Sequence, residues 1–476
     1  MYKSKLIHIL KTFTPQEIRS LGFFIDSPSA NVRSEVLNLW LYLRLQYPHF
    51  KEDELDRYKI FAVIWGSQTT FSMPKLRHLN SELVQWIEEF MIHNQLKNDP
   101  ERRFMLLLDA YKEKDLHKYF EQTLKKENVL ATAAEKYDMG NYRFRYVLQE
   151  KITDYEMERF NNMNFDYIKQ ILAYLDVFYI AQKLKFACET VNYQNVFKTT
   201  YEPLFWDDIL AYMQKNVDNS SPLLQAYFII WNTLTEAENE EHFQQLLTFL
   251  DTYSQRFSAQ TLSEFYTYAR NYCIKKINNG EQKYIANLFK LYQKGLETNT
   301  LMYKQRLSEW DYKNIVTIGM RLNEDIFVEK FIHQYKHFLM EESRDNAYTY
   351  NLAYFYFYQK QYDKTIALLQ DVHFSDIYYH LETKTLLLKT YYELNESISL
   401  FALADTLKVY LFRTAKIPDY QKQIRNRFIS FITKMMRIKL GGKNNASQLL
   451  QQLNKNKKVS DFTWLNDKIN ALMKKH

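Results

Sequence analysis

The chain has 476 residues, a formal net charge of +7, 46% hydrophobic residues, and only eight glycines and eight prolines. So few turn residues exclude a sheet-rich fold of this length, which needs Gly and Pro at its many reversals. The length exceeds one small core and suits a chain that grows by adding helical hairpins, so the expected fold class is all-α.

Four regions follow in order: an N-terminal helical domain over 1–98, an irregular helical region over 99–220, a stack of helical hairpins over 221–440, and a basic helical tail over 441–476. Thr14-Pro15-Gln16-Glu17 is a full helix start, in which Thr14 caps, Pro15 suits the first turn and Glu17 reaches back. A helix is expected from about 31 to 46, with Val32, Val36, Leu39, Trp40 and Leu43 on its apolar stripe. Others run from Glu54 to Trp65, closed by Gly66, and from about Met73 to Asn94. With Lys75, Arg77, His78 and Asn80 opening the longer helix, this pair has the outline of a DNA-reading helix-turn-helix. A plain hairpin with a solvated polar face fits it better, since helical hairpins are common and residues 1–100 are nearly neutral, with 12 Lys+Arg against 11 Asp+Glu.

Asp99-Pro100-Glu101 starts the next helix, and Tyr142–Met157 and Tyr174–Phe197 are the clearest helical patterns before 219. Ser221-Pro222 opens a hairpin reaching Tyr253, broken near Glu236–Glu240. Ser258 caps Ala259–Ile277, Gly280 turns the chain, and Lys283–Leu296 returns. Trp310–Met320 pairs with Glu324–Met340 across Asn323. The strongest pair is Ala347–Tyr358 with Tyr362–Val372, joined by Lys360-Gln361, and Asp376–Leu394 with Ser397–Leu411 follows. A last helix runs from Pro418 to Leu440, with Ile424, Phe428, Phe431, Met435 and Ile438 on its apolar stripe, and Gly441-Gly442 ends it.

Leu352-Ala353-x-x-Tyr356, Tyr362-x-x-Thr365-Ile366-x-x-Leu369 and Leu387-x-x-x-Tyr391 carry a helix–turn–helix unit that returns after about 34 residues. At these residues the chain resembles the tetratricopeptide repeat family, most clearly over 347–411. The units are degenerate: Leu388 replaces the small residue that Ala353 supplies, and Thr365 stands where the family prefers alanine. The resemblance implies an α–α superhelix whose first helices line a concave groove that holds a protein or peptide. Carried over by position, the groove-facing set is Tyr350, Tyr354, Phe357 and Tyr358, then Glu382, Thr385, Lys389, Tyr392 and Glu393. Family members that grip a carboxylate use paired cations or amides there, whereas tyrosines dominate here and Lys389 is the only cation.

No reaction chemistry emerges. His333-x-x-x-His337 has the spacing of a metal pair, but Gln334 stands where a zinc protease carries glutamate, and no third ligand follows. Gly441-Gly442-Lys443 lacks the spacing of a phosphate loop and reads as a helix C-cap. The expectation is therefore no enzyme, no metal and no cofactor. Cys188 and Cys273 are expected as buried free thiols of a reducing compartment. No run approaches the roughly 18 apolar residues of a membrane span, and the expected location is cytoplasmic, without a membrane partner.

The charge is a property of the C-terminal end: residues 401–476 hold 16 Lys+Arg against four Asp and no Glu. Lys422, Arg425, Arg427, Lys434, Arg437, Lys455, Lys457 and Lys458 form the expected basic patch. A solvated helix face, an acidic protein partner and nucleic acid all fit it. The leading expectation is a non-catalytic scaffold that binds a protein or peptide in its groove. The alternative is a nucleic-acid-associated regulator using the basic end and the N-terminal helix-turn-helix.

Overall fold

The computed structural model describes all residues except 28–31, 134–135, 161–163, 198–202, 371–376, 443–444, 457 and 475–476. Among the described residues there are 23 α-helices and one two-residue β-ladder, Met302–Tyr303 with Arg306–Leu307, so the fold is all-α. By contact the chain divides into two compact units, Met1–Glu135 with Phe144–Ile171, and Lys136–Arg143 with Leu172–His476.

The first unit holds α1 (Lys5–Lys11), α2 (Pro15–Ile25), α3 (Ser34–Leu45), α4 (Arg57–Trp65), α5 (Met73–Lys97), α6 (Pro100–Glu113), α7 (His117–Ala133) and most of α8 (Met139–Phe160). The Thr14 capping box forms, with Glu17 accepting from the Thr14 amide at 2.7 Å. Leu76, Leu79, Leu83 and Ile87 of α5 are buried with Leu39, Trp40 and Leu43 of α3. A helix with this much apolar surface must be covered along its length, and α1, α2, α3 and α6 all pack on α5. The connection from α4 to α5 runs from Gly66 to Ser72, longer than the three or four residues of a DNA-reading turn. Lys75, Arg77 and His78 are exposed at its far end.

The second unit begins along α9 (Phe165–Phe197) and α10 (Trp206–Asn216) and continues as hairpins. These are α11 (Pro222–Thr235) with α12 (Glu240–Tyr253), α13 (Ala259–Asn278) with α14 (Tyr284–Glu297), and α15 (Glu309–Arg321) with α16 (Asp325–Tyr335). Then come α17 (Glu341–Tyr358) with α18 (Tyr362–Gln370), and α19 (Ile377–Leu394) with α20 (Ser397–Arg413). Helices α21 (Asp419–Lys439), α22 (Ala446–Lys455) and α23 (Phe462–Met473) finish the chain. The ends expected at Val372 and Asp376 lie outside the described residues.

Each hairpin packs on the next, with α15 on α17, α17 on α19 and α19 on α21. Where two helices approach closely, one side chain is small. A Cβ on Gly319 of α15 would collide with Val328 of α16. Between α17 and α18, Ala353 and Thr365 are both fully buried, and the Thr365 hydroxyl donates to the Ala353 carbonyl at 3.4 Å. Tyr356 is only half-buried, with the Lys364 ammonium 5.0 Å above its ring.

Candidate functional site

The residues expected to line a groove lie on α17 and α19, and most of them are not open to a partner. Tyr350, Tyr354, Phe357, Thr385, Lys389 and Tyr392 are buried, and Tyr358 is half-buried. The reason is that the chain's own C-terminal helices cover them. Arg425 of α21 donates to Thr385 Oγ1 at 2.9 Å and to Glu382 Oε1 at 2.5 Å, and Lys313 of α15 lies 3.3 Å from Glu382. Lys468 of α23 pairs with Glu393 at 2.6 Å, and Trp464 meets the Tyr392 ring edge-on at 5.5 Å.

Lys389 holds a carboxylate after all, and that carboxylate belongs to Asp461, 2.9 Å away. The ammonium is enclosed by the rings of Phe357 (5.1 Å), Trp464 (5.4 Å), Tyr354 (5.9 Å) and Tyr358 (6.0 Å), whose negative faces suit a cation removed from water. Burial alone would lower the Lys389 pKa; the charge and hydrogen bond of Asp461, with Tyr358 and Glu382 nearby, together outweigh it and the value is raised. Asp461 has a left-handed backbone (φ 51°) at the head of α23, yet its side chain caps nothing there, since Lys389 takes it. Burial also pushes the Tyr350 and Tyr354 hydroxyls well up.

The basic patch is thinned for the same reason. Arg425 is buried in the Glu382 cluster and is not a surface cation. Arg427 donates to the Lys458 carbonyl at 3.1 Å, Lys434 to Gln452 at 3.2 Å, and Lys422 lies 4.0 Å from Asp419. Arg437, Lys455 and Lys458 are exposed, and Lys457 lies outside the described residues.

An open cleft of about 700 Å³ lies between α9, α11 and α13. Glu189 and Thr233 line two sides, and Glu264, Thr267, Asn271, Lys275 and Asn278 run along α13. Glu264 is held from both oxygens, by Lys185 at 2.6 Å and by the Tyr227 hydroxyl at 3.0 Å. Sequence reasoning missed this cleft because a polar stripe at helical spacing is indistinguishable from any solvated helix face.

The two cysteines are buried free thiols, and burial raises Cys273 to about 12 and Cys188 further. His333 bonds the Tyr348 hydroxyl at 3.2 Å, while His337 falls in the 3₁₀ turn after α16, so the pair is split between two elements. Among the described residues no three His, Cys, Asp or Glu side chains converge as a metal site, and no helix is long and apolar enough to cross a membrane. No protein-family model, curated protein or solved structure matches the chain.

Proposed function

We propose that the chain is a non-catalytic scaffold of tetratricopeptide-like hairpins, and that it binds a protein or peptide partner in the cleft between α9, α11 and α13. One observation carries this reading. The face formed by α17 and α19 is filled by the chain's own helices, while this cleft is open and combines apolar walls, Leu234, Ala237 and Ile274 among them, with hydrogen-bonding side chains of both charge signs. Amides, hydroxyls and mixed charges suit an extended backbone with its alternating donors and acceptors. A nucleic-acid groove would instead be lined by cations. The repeat-like reading draws support from the close helix pair at Ala353 and Thr365 and from the recurring hairpins.

The test is affinity capture at two salt concentrations, scored for protein and for nucleic acid. Asn271→Ala with Lys275→Ala is expected to weaken a protein partner about tenfold or more, with melting unchanged, since both side chains are exposed. Replacing Lys455, Lys457 and Lys458 together by Gln should leave that partner bound. Loss on the triple substitution alone, with a steep salt dependence of about −0.9 per neutralised phosphate, would establish the nucleic-acid reading instead.

A further inference from the structure

The cleft between α9, α11 and α13 carries opposite charge at its two ends. At one end stand Glu189 of α9 and Glu264 of α13, both half-buried. Lys185, one turn before Glu189 on α9, donates to one Glu264 oxygen at 2.6 Å, and the Tyr227 hydroxyl donates to the other at 3.0 Å. Two carboxylates against one ammonium leave this end with a net charge of −1. An ionised carboxylate has about four lone-pair sites, so Glu264, held in place by two donors, still accepts from a third. At the other end Lys275 is exposed, and it is the one cation among the described residues that line the cleft. Lys276, next in the chain, does not line it and holds Glu238 at 3.3 Å and Glu281 at 3.0 Å instead. Asn271 is exposed on the wall between the two ends, one turn before Lys275.

We propose that the cleft takes an extended peptide segment carrying a Lys or Arg and, about five residues away, an Asp or Glu. This rests on the cleft being the partner site and adds what the partner must carry. Glu264 and Lys275 lie on one helix, and the stretch between them advances about 16 Å along its axis. An extended chain advances about 3.3 Å per residue, which sets the distance between the partner's two charges. The partner's cation meets Glu189 and Glu264, and its carboxylate meets Lys275. Asn271 offers one carbonyl and one amino group between them, the complement of a backbone peptide unit. Wrong segments are rejected by charge. Two cations would set one of them against Lys275, and two carboxylates would set one against the acidic end. Both ends are partly exposed, so these contacts act on the choice of partner more than on total affinity.

The experiment titrates the full chain into short fluorescent peptides of Ala and Ser and reads anisotropy. Each peptide carries one Lys and one Glu, about five residues apart or about two, in both chain directions. The wider spacing is expected to bind at least about tenfold tighter than the narrower one of the same composition. Lys275→Glu should reverse the preference: the Lys and Glu peptide weakens about tenfold, and a peptide with Lys at both positions gains. Lys275 is exposed, so this variant leaves the core intact, with circular dichroism as the check. Equal binding at both spacings overturns the proposal, as does a Lys275→Glu variant that still prefers the Lys and Glu peptide. If Asn271→Ala then weakens every peptide alike, the cleft remains the partner site and only its charge selectivity is lost. If no peptide binds, or if Asn271→Ala also changes nothing, the reading of the cleft falls with the proposal.

Discussion

Glu382 shows how single residues tie the end of the chain to its middle. Its side chain is about one quarter exposed, and Lys313 and Arg425 reach it from two other helices. Burial alone would raise its pKa, but the two cations reverse that and hold it at about 2, below the ordinary 4.5. A carboxyl whose folded value is depressed stabilises above its unfolded value, and that contribution is lost as pH falls from 4.5 towards 2. Glu382→Gln keeps the shape but leaves Lys313 and Arg425 uncompensated, at a cost of about 3 kcal/mol at neutral pH. Urea midpoints of parent and variant should therefore converge as pH falls through that window. Curves that stay a constant distance apart would mean the carboxylate charge is not what joins these helices.

At the scale of elements, the hairpins repeat through their turns more faithfully than through their side chains. Gly280, Asn323, Lys360 and Asn395 all have positive φ at the same place after the first helix. In each turn the next amide closes back on the last helical turn: Glu281 to Lys276 at 3.0 Å, Glu324 to Gly319 at 3.0 Å, Gln361 to Tyr356 at 2.9 Å, and Glu396 to Tyr391 at 2.9 Å. This paired closure satisfies carbonyls that the helix end leaves open. Lysine is strained in that conformation, so Lys360→Gly should stabilise by about 0.5–1 kcal/mol and Lys360→Val should destabilise by at least about 1 kcal/mol. Chemical unfolding reads both, and equal midpoints would remove the strain argument. The sequence was legible here because caps and turns act locally: Thr14, Asp99, Ser221 and Ser258 all cap where expected. It also named residues of α17 and α19 that are buried near one another, Tyr354, Phe357 and Lys389 among them. It did not reveal what covers them, since Lys389 meets Asp461 across 72 residues and Thr385 meets Arg425 across 40. Helical periodicity places a residue on a side of its helix but carries nothing about a distant segment that packs there.

Across the whole molecule, apolar burial is distributed unevenly, and local stability should follow it. In the second unit one core runs without interruption from Ala181 to Leu387, through every hairpin from α11 to α17. In the first unit α6, α7 and α8 share a small cluster of Leu108, Phe120 and Tyr155, with Phe104, Tyr111, Leu124 and Leu148 partly buried around it. Ion pairs join these helices as well, Lys112 to Glu158 at 2.7 Å, Lys151 to Asp109 and Arg159 to Glu121. At least one partner of each pair is well exposed, and exposed pairs contribute little, at most about 1 kcal/mol each. Regions with few buried apolar contacts open at lower free energy than the large core. Native-state hydrogen exchange should therefore find the amides of α6–α8 opening first and at low denaturant, while those of α13, α15 and α17 exchange only with global unfolding. The ion pairs give a way to separate the causes. Raising salt should lower the protection of α6–α8 only slightly if apolar burial sets it, and strongly if the ion pairs do. Protection in α6–α8 equal to that of α13–α17 would mean that cluster size does not govern stability in this chain.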